Sequence, residues 1–141
     1  MKTPSTTHPA LGIDHGEARV GIAATDAGGI LAYPVETIEC AVQDPVARIG
    51  ELAERGGIHT LVLGMPFRMD GSEGTAAAKV RAFAALLRQR LPNIPLVFVD
   101  ETLTTSSAAD KLRQAGRKTH RHKPIIDQAA AVEILNHWMG C

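Results

Sequence analysis

The chain has 141 residues, 15 basic against 15 acidic side chains, zero formal net charge and 45% hydrophobic residues. That length supports one domain with a real core, and the balanced charge points to neither nucleic acid nor membrane as a whole-molecule partner, so any nucleic-acid surface is local. No apolar run reaches about 18 residues, which excludes a membrane-spanning helix, and Cys40 and Cys141 supply neither a disulfide framework nor metal-ligand spacing; they read as free thiols of a reducing cytosol.

Residues 1–9 hold one lysine and no apolar core, so they are read as a disordered tail rather than a secretory signal. Residues 10–141 are read as a single domain. A short apolar strand is expected over 10–14 and a second over 19–25, with Gly16 marking the turn between them. Asp26-Ala27-Gly28-Gly29 is a turn, and a third strand is expected over 30–38. Three strands joined by short turns form an antiparallel meander. The rhythm then changes. Asp44 and Pro45 open a helix as N-cap and first-turn proline, Val46, Ile49, Leu52 and Ala53 recur at helical spacing, and Gly56-Gly57 ends it. Residues 60–64 form a continuous apolar strand of the kind buried on both faces.

Ser72 is the expected cap of a long helix whose stripe is Ala76, Val80, Phe83, Ala84 and Leu87, stopped by Pro92. Another buried strand is expected over 95–99. Thr104 or Thr105 caps a further helix with Ala108, Ala109 and Leu112 inward and Gly116 as its stop. Pro124 then opens a last helix to about Met139. The order β-β-β-α-β-α-β-α-α predicts an α/β fold: a five-stranded mixed sheet with helices on both faces. Right-handed crossovers place the first strand near the sheet centre, beside the fourth. The ends of the first and last strands then come together, and Asp14 meets Glu101.

Three carboxylates stand in awkward places. Asp14 ends an apolar strand, where desolvation is costly without a partner; the plain alternative is an ordinary Asp-x-Gly turn. Glu101 follows Leu96-Val97-Phe98-Val99, and strand alternation lets only one of Asp100 and Glu101 face Asp14; the plain alternative is a strand ending in solvent. Asp127 shares a helical face with Ala130, Ala131, Ile134 and Trp138; the plain alternative is a first-turn acid favoured by the helix dipole. As a set, oxygen ligands from several elements suit Mg²⁺ or Mn²⁺ held against a phosphodiester.

Two further features accompany them. Lys111, Arg113, Arg117, Lys118, Arg121 and Lys123, with His120 and His122, form a basic run with no acid between Asp110 and Asp127. Such a run binds phosphate backbone without sequence preference, or is a solvated loop. The segment from Gly64 to Gly74 leaves a strand and opens a helix, where free amides bind an anion; it lacks the Gly-Lys-Ser/Thr of a P-loop. Aromatic residues are few, so extensive base stacking is not expected; Phe67 is the one exposed candidate.

At Gly12-Ile13-Asp14-His15-Gly16 with Arg19-Val20-Gly21-Ile22-Ala23, Gly64-Met65-Pro66 with Met69-Asp70-Gly71-Ser72-Glu73-Gly74, Val99-Asp100-Glu101-Thr102-Leu103-Thr104-Thr105, and Lys123 with residues 126–135, the chain resembles the YqgF family. These are RNase H-like pre-16S rRNA nucleases, also described as Holliday-junction-resolvase-like. The resemblance implies an RNase H-like fold over 10–141 and metal-dependent phosphodiester cleavage with Asp14, Glu101 and Asp127 as the acidic set. It also implies cytoplasmic maturation of the 5′ end of precursor 16S rRNA, with a ribosomal particle as partner. Arg19, Ser72, Thr104, Arg117, Lys118, Arg121 and Lys123 are the expected nucleic-acid contacts. The family usually has Tyr at 15, Lys at 18 and Arg at 102, where this chain has His15, Ala18 and Thr102; the last change removes a cation beside a proposed metal ligand.

Alternatives stay open on sequence alone. A junction resolvase cuts branched DNA symmetrically and needs a two-fold homodimer, whereas a single-strand RNA nuclease can be a monomer; nothing in the sequence specifies a dimer face, and the apolar Trp138-Met139 end reads as core rather than as a dimer patch. An actin-like or sugar-kinase-like phosphotransferase also begins with Asp-x-Gly and a strand, but closes two such domains around its nucleotide. A non-catalytic nucleic-acid-binding module is the third reading.

Overall fold

The computed structural model describes residues 7–67, 70–101 and 119–140, with side chains of the last helix described from Asp127 onward. Five strands form one sheet: β1 (Ala10–His15), β2 (Arg19–Thr25), β3 (Ala32–Glu39), β4 (Thr60–Met65) and β5 (Leu96–Asp100), in the order β3-β2-β1-β4-β5. β1 pairs antiparallel with β2 and β2 with β3, while β4 runs parallel to both β1 and β5. This is the mixed sheet expected from the sequence, with β1 central beside β4. All six β4 residues are buried, as its unbroken apolar run requires.

Helix α1 (Pro45–Gly56) joins β3 to β4. Asp44 accepts from the Val46 N–H at 3.1 Å, Pro45 fills the first turn, and Gly57 closes the helix at φ 60°; an L side chain is strained there. Helix α2 (Thr75–Arg90) joins β4 to β5, and α3 (Thr119–Met139) is the last element. α1 and α2 cover one face through Ile49, Ala53, Val80, Phe83, Ala84 and Leu87 against Leu11, Ile13, Ile22, Leu61 and Leu63. α3 covers the other through Ala131, Ile134 and Leu135 against Ala10, Ala23, Val62 and Val99. Among the described residues no helix is long and apolar enough to cross a membrane.

Several boundaries differ from expectation for local reasons. β3 starts at Ala32 rather than residue 30, because Asp26 Oδ1 accepts from the Ile30 and Leu31 N–H groups at 2.7 and 3.1 Å, and that turn leaves both side chains exposed. Ser72 does not cap α2. Its N–H and Oγ both donate to Asp70 Oδ1 (2.9 and 2.6 Å), and Gly74 stands at the N-cap without a side-chain bond. The buried stripe of α2 starts at Ala77, not Ala76. α3 begins five residues before Pro124; a proline this near the N-terminus removes only one intrahelical bond. Of the expected tail, His8 and Pro9 are engaged: His8 Nδ1 is 2.9 Å from Thr25 Oγ1, and the Pro9 carbonyl accepts from the His59 N–H. The helix expected between Thr104 and Gly116 lies outside the described residues.

Candidate acidic site at the sheet edge

Side-chain alternation decides which acids share a face. On β1, Leu11 and Ile13 enter the α1/α2 core, while a Cβ on Gly12 would meet Leu135 of α3. Asp14 therefore points toward α3. On β5, Phe98 packs on the α1/α2 side and Val99 on the α3 side. Glu101 follows the Val99 face and is 7% exposed, and its N–H donates to the Met65 carbonyl at 3.0 Å. Asp100 pairs with Met65 in register.

Two glycines bring the acids close. Gly21 is the register partner of Asp14, and a Cβ there would fall 2.1 Å from the Asp127 carbonyl oxygen and 2.8 Å from the Asp127 Cβ. Gly64 follows Leu63, the partner of Ile13, so it lies beside Asp14; a Cβ there would be 2.6 Å from Ile134 Cδ1 and 3.0 Å from the Glu101 carboxyl carbon. Only residues without side chains on β2 and β4 permit α3 and Glu101 to lie this close. The C-terminal ends of β1 and β5 and the described start of α3's side chains thus meet on one sheet face, with Asp14, Glu101 and Asp127 around the two glycines.

Arg19 enters from β2. Its Nε donates to Asp127 Oδ2 at 2.9 Å, with side-chain exposures of 26% and 20%. Next to it, Gln128 Nε2 donates to Thr37 Oγ1 at 3.0 Å and ties α3 to β3. The oxygen-only donor set fits a hard divalent cation. Among the described residues, though, no three of His, Cys, Asp and Glu stand close enough together to enclose one.

Sequence reasoning missed a cleft of about 330 Å³ beside the β1–β2 turn, lined by His15, Gly16, Glu17, Pro66, Thr75, Ala76 and Lys79. Lys79 pairs with Glu17. The His15 ring lies 4.6 Å from that of Phe83, and burial, helped by the Lys79 charge, holds its pKa below the usual histidine value. Alternation along β1 was the available signal, since it turns residue 15 away from Asp14. Near the start of α2, Arg81 donates twice to Glu73 at 2.6 Å, and that pairing holds the Glu73 carboxyl below its ordinary range.

The other expected contacts divide. Ser72 is engaged by Asp70 in an exposed turn. Arg121 and Lys123 lie on the α3 backbone, with Lys123 one turn before Asp127. Thr104, Arg117 and Lys118 lie outside the described residues.

A family model described as "RuvX: Holliday junction resolvase" matches residues 8–140. A protein from a Nocardioides species is 45% identical over 132 residues, spanning 90% of this chain and 84% of that protein. Another, from Nocardia farcinica, is 41% identical over 136 residues, spanning 92% and 76%. Both carry the name "Putative pre-16S rRNA nuclease". The structure of T. thermophilus RuvC in complex with a Holliday junction substrate superposes with a TM-score of 0.55 at 16% identity, over 93% of each chain. At that identity the likeness speaks to the fold, which is RNase H-like, as the sequence led us to expect.

Proposed function

The chain belongs to the RuvX family and is a nuclease, and on that footing we propose that it is a divalent-metal-dependent enzyme of the cytoplasm that matures the 5′ end of precursor 16S rRNA. The observation that carries the reading is the gathering of Asp14, Glu101 and Asp127 on one sheet face around Gly21 and Gly64, with Glu101 buried. A cation would offset the negative charge that these three elements bring to one face. Asp14, Glu101 and Asp127 would hold Mg²⁺ or Mn²⁺. When bound, such an ion supplies Lewis-acid polarisation of the phosphodiester and lowers the pKa of an attacking water.

The chain's own residues do the rest. Burial of Glu101 keeps bulk water from one side of the site. Arg117, Lys118, Arg121 and Lys123, just before Asp127 in sequence, neutralise phosphates of the substrate flank. Thr104 supplies a hydroxyl donor to the same backbone, and Ser72 joins it only by giving up the hydroxyl bond to Asp70. Substrate is therefore held mainly by its phosphates, and a ribosomal particle is the natural source of a leader to be trimmed.

The description of the matching family model favours a second reading, cleavage of four-way DNA junctions; symmetric cutting of two strands would require a homodimer. One experiment separates the two. RNA carrying a 16S precursor 5′ leader and a synthetic four-way DNA junction are each incubated with Mn²⁺, Mg²⁺ or chelator, using wild type and Asp14→Asn. Metal-dependent cutting of the RNA, lost in the variant, is expected. Cutting of the junction alone moves the assignment to a resolvase. Binding without cutting of either defeats the enzymatic reading.

A further inference from the structure

Arg19 and Asp127 are separated by 108 positions in sequence and meet through the Nε–Oδ2 bond at 2.9 Å. Arg19 opens β2 and lies two residues before Gly21, on the same strand face. The Asp127 backbone rests against Gly21, where a Cβ would be 2.1 Å from its carbonyl oxygen. Asp127 is thus fixed at two points of one strand, its main chain by the missing Cβ and its carboxylate by the guanidinium. Both side chains are about three-quarters buried, at 26% and 20% exposure, so solvent screens the pair less than it screens a surface bridge.

We propose that Arg19 is a positioning residue of the acidic site, an internal counter-ion that holds the Asp127 carboxylate in the cation-free protein and competes with a divalent cation for it. The inference rests on the reading of Asp127 as a metal ligand. A guanidinium offsets the carboxylate charge and aims it at the sheet, so the site is assembled before the ion arrives. The same pairing weakens ion binding, because the incoming charge must displace Arg19 or share its oxygen. Arg19 therefore exchanges cation affinity for a carboxylate already in place.

The probe is Mn²⁺, titrated by calorimetry into wild type, Arg19→Gln, Arg19→Lys and Asp127→Asn, with Tm measured in chelator. Arg19→Gln is expected to bind Mn²⁺ roughly fivefold more tightly and to melt a few degrees lower without metal. Arg19→Lys keeps the charge and stays near wild type in affinity. Unchanged or weaker Mn²⁺ binding by Arg19→Gln, with binding still lost in Asp127→Asn, overturns the competition alone. Wild-type affinity in Asp127→Asn removes Asp127 from the ligand set and the proposal with it. A measurement on the wild type needs no variant to fold: the Arg19 Nε–H resonance should move as Mg²⁺ is added, and a signal unmoved at saturation overturns the proposal.

Discussion

Asp14→Asn removes one negative charge at nearly constant shape, from a half-buried position on the α3 face of β1. We expect RNA cleavage to fall by more than about a hundredfold, beyond the loss typical of an outer-shell partner, while Tm moves by only a few degrees. Wild-type turnover in that variant would defeat the acidic-site assignment. Strand alternation makes legible only that one of Asp100 and Glu101 faces Asp14; which of the two needs the structure, where Val97 and Val99 pack on the α3 side and Glu101, two residues further on, is buried. The partners of Arg19 and Ser72 were not readable. The Arg19–Asp127 contact closes across 108 positions, which no local pattern encodes. Ser72 has the chemistry of a helix cap, but an acid two residues earlier takes its hydroxyl and its N–H, and residue type alone does not decide this competition between a turn and a cap.

At the scale of elements, the site depends on how near α3 lies to the sheet, and glycine sets that distance. Gly21→Ala would drive a methyl into the backbone of Asp127 at 2.1 Å, where no flexible side chain can give way. We expect a loss of about 3 kcal/mol or more, the upper end for overpacking, with cleavage lost as Asp127 shifts; a Tm near wild type would mean that α3 has room to retreat. The β2–β3 turn yields a pH prediction. The Leu31 and Ile30 amides hold the Asp26 carboxyl below its ordinary pKa of 3.8. A depressed folded-state pKa stabilises the turn above the unfolded value, and that contribution is lost as pH falls through the lower folded one. Amide shifts of Ile30 and Leu31 should therefore titrate below pH 3.8. In Asp26→Ala that titration should vanish and both amides should exchange faster, and continued protection would show that the strand rather than the carboxylate orders the turn. The same two bonds explain why β3 starts late: apolar Ile30 and Leu31 read as strand, yet their N–H groups are already committed to Asp26.

For the whole molecule, the sheet order was legible because each crossover is short and carries one helix, leaving β4 few places except beside β1. The start of α3 was less legible, since Pro124 reads as an opening residue although the helical backbone extends back to Thr119. That extension changes where the basic run lies. Arg121 and Lys123 belong to the same helix as Asp127, so the end of the run is continuous with the element that carries the acid. With 15 basic against 15 acidic side chains overall, substrate affinity must come from this local charge rather than from the net field. Neutralising Arg117, Lys118 and Arg121 together should weaken RNA binding across unrelated sequences. For single strands the slope of log affinity against log salt should drop by about 2 in magnitude, because each lost phosphate contact removes roughly 0.7. Cleavage by the triple variant at saturating RNA should stay within a few-fold of wild type, since these cations hold the flank and not the reacting phosphate. An unchanged salt slope would assign the run to solvent and leave the phosphate grip to residues nearer the acids.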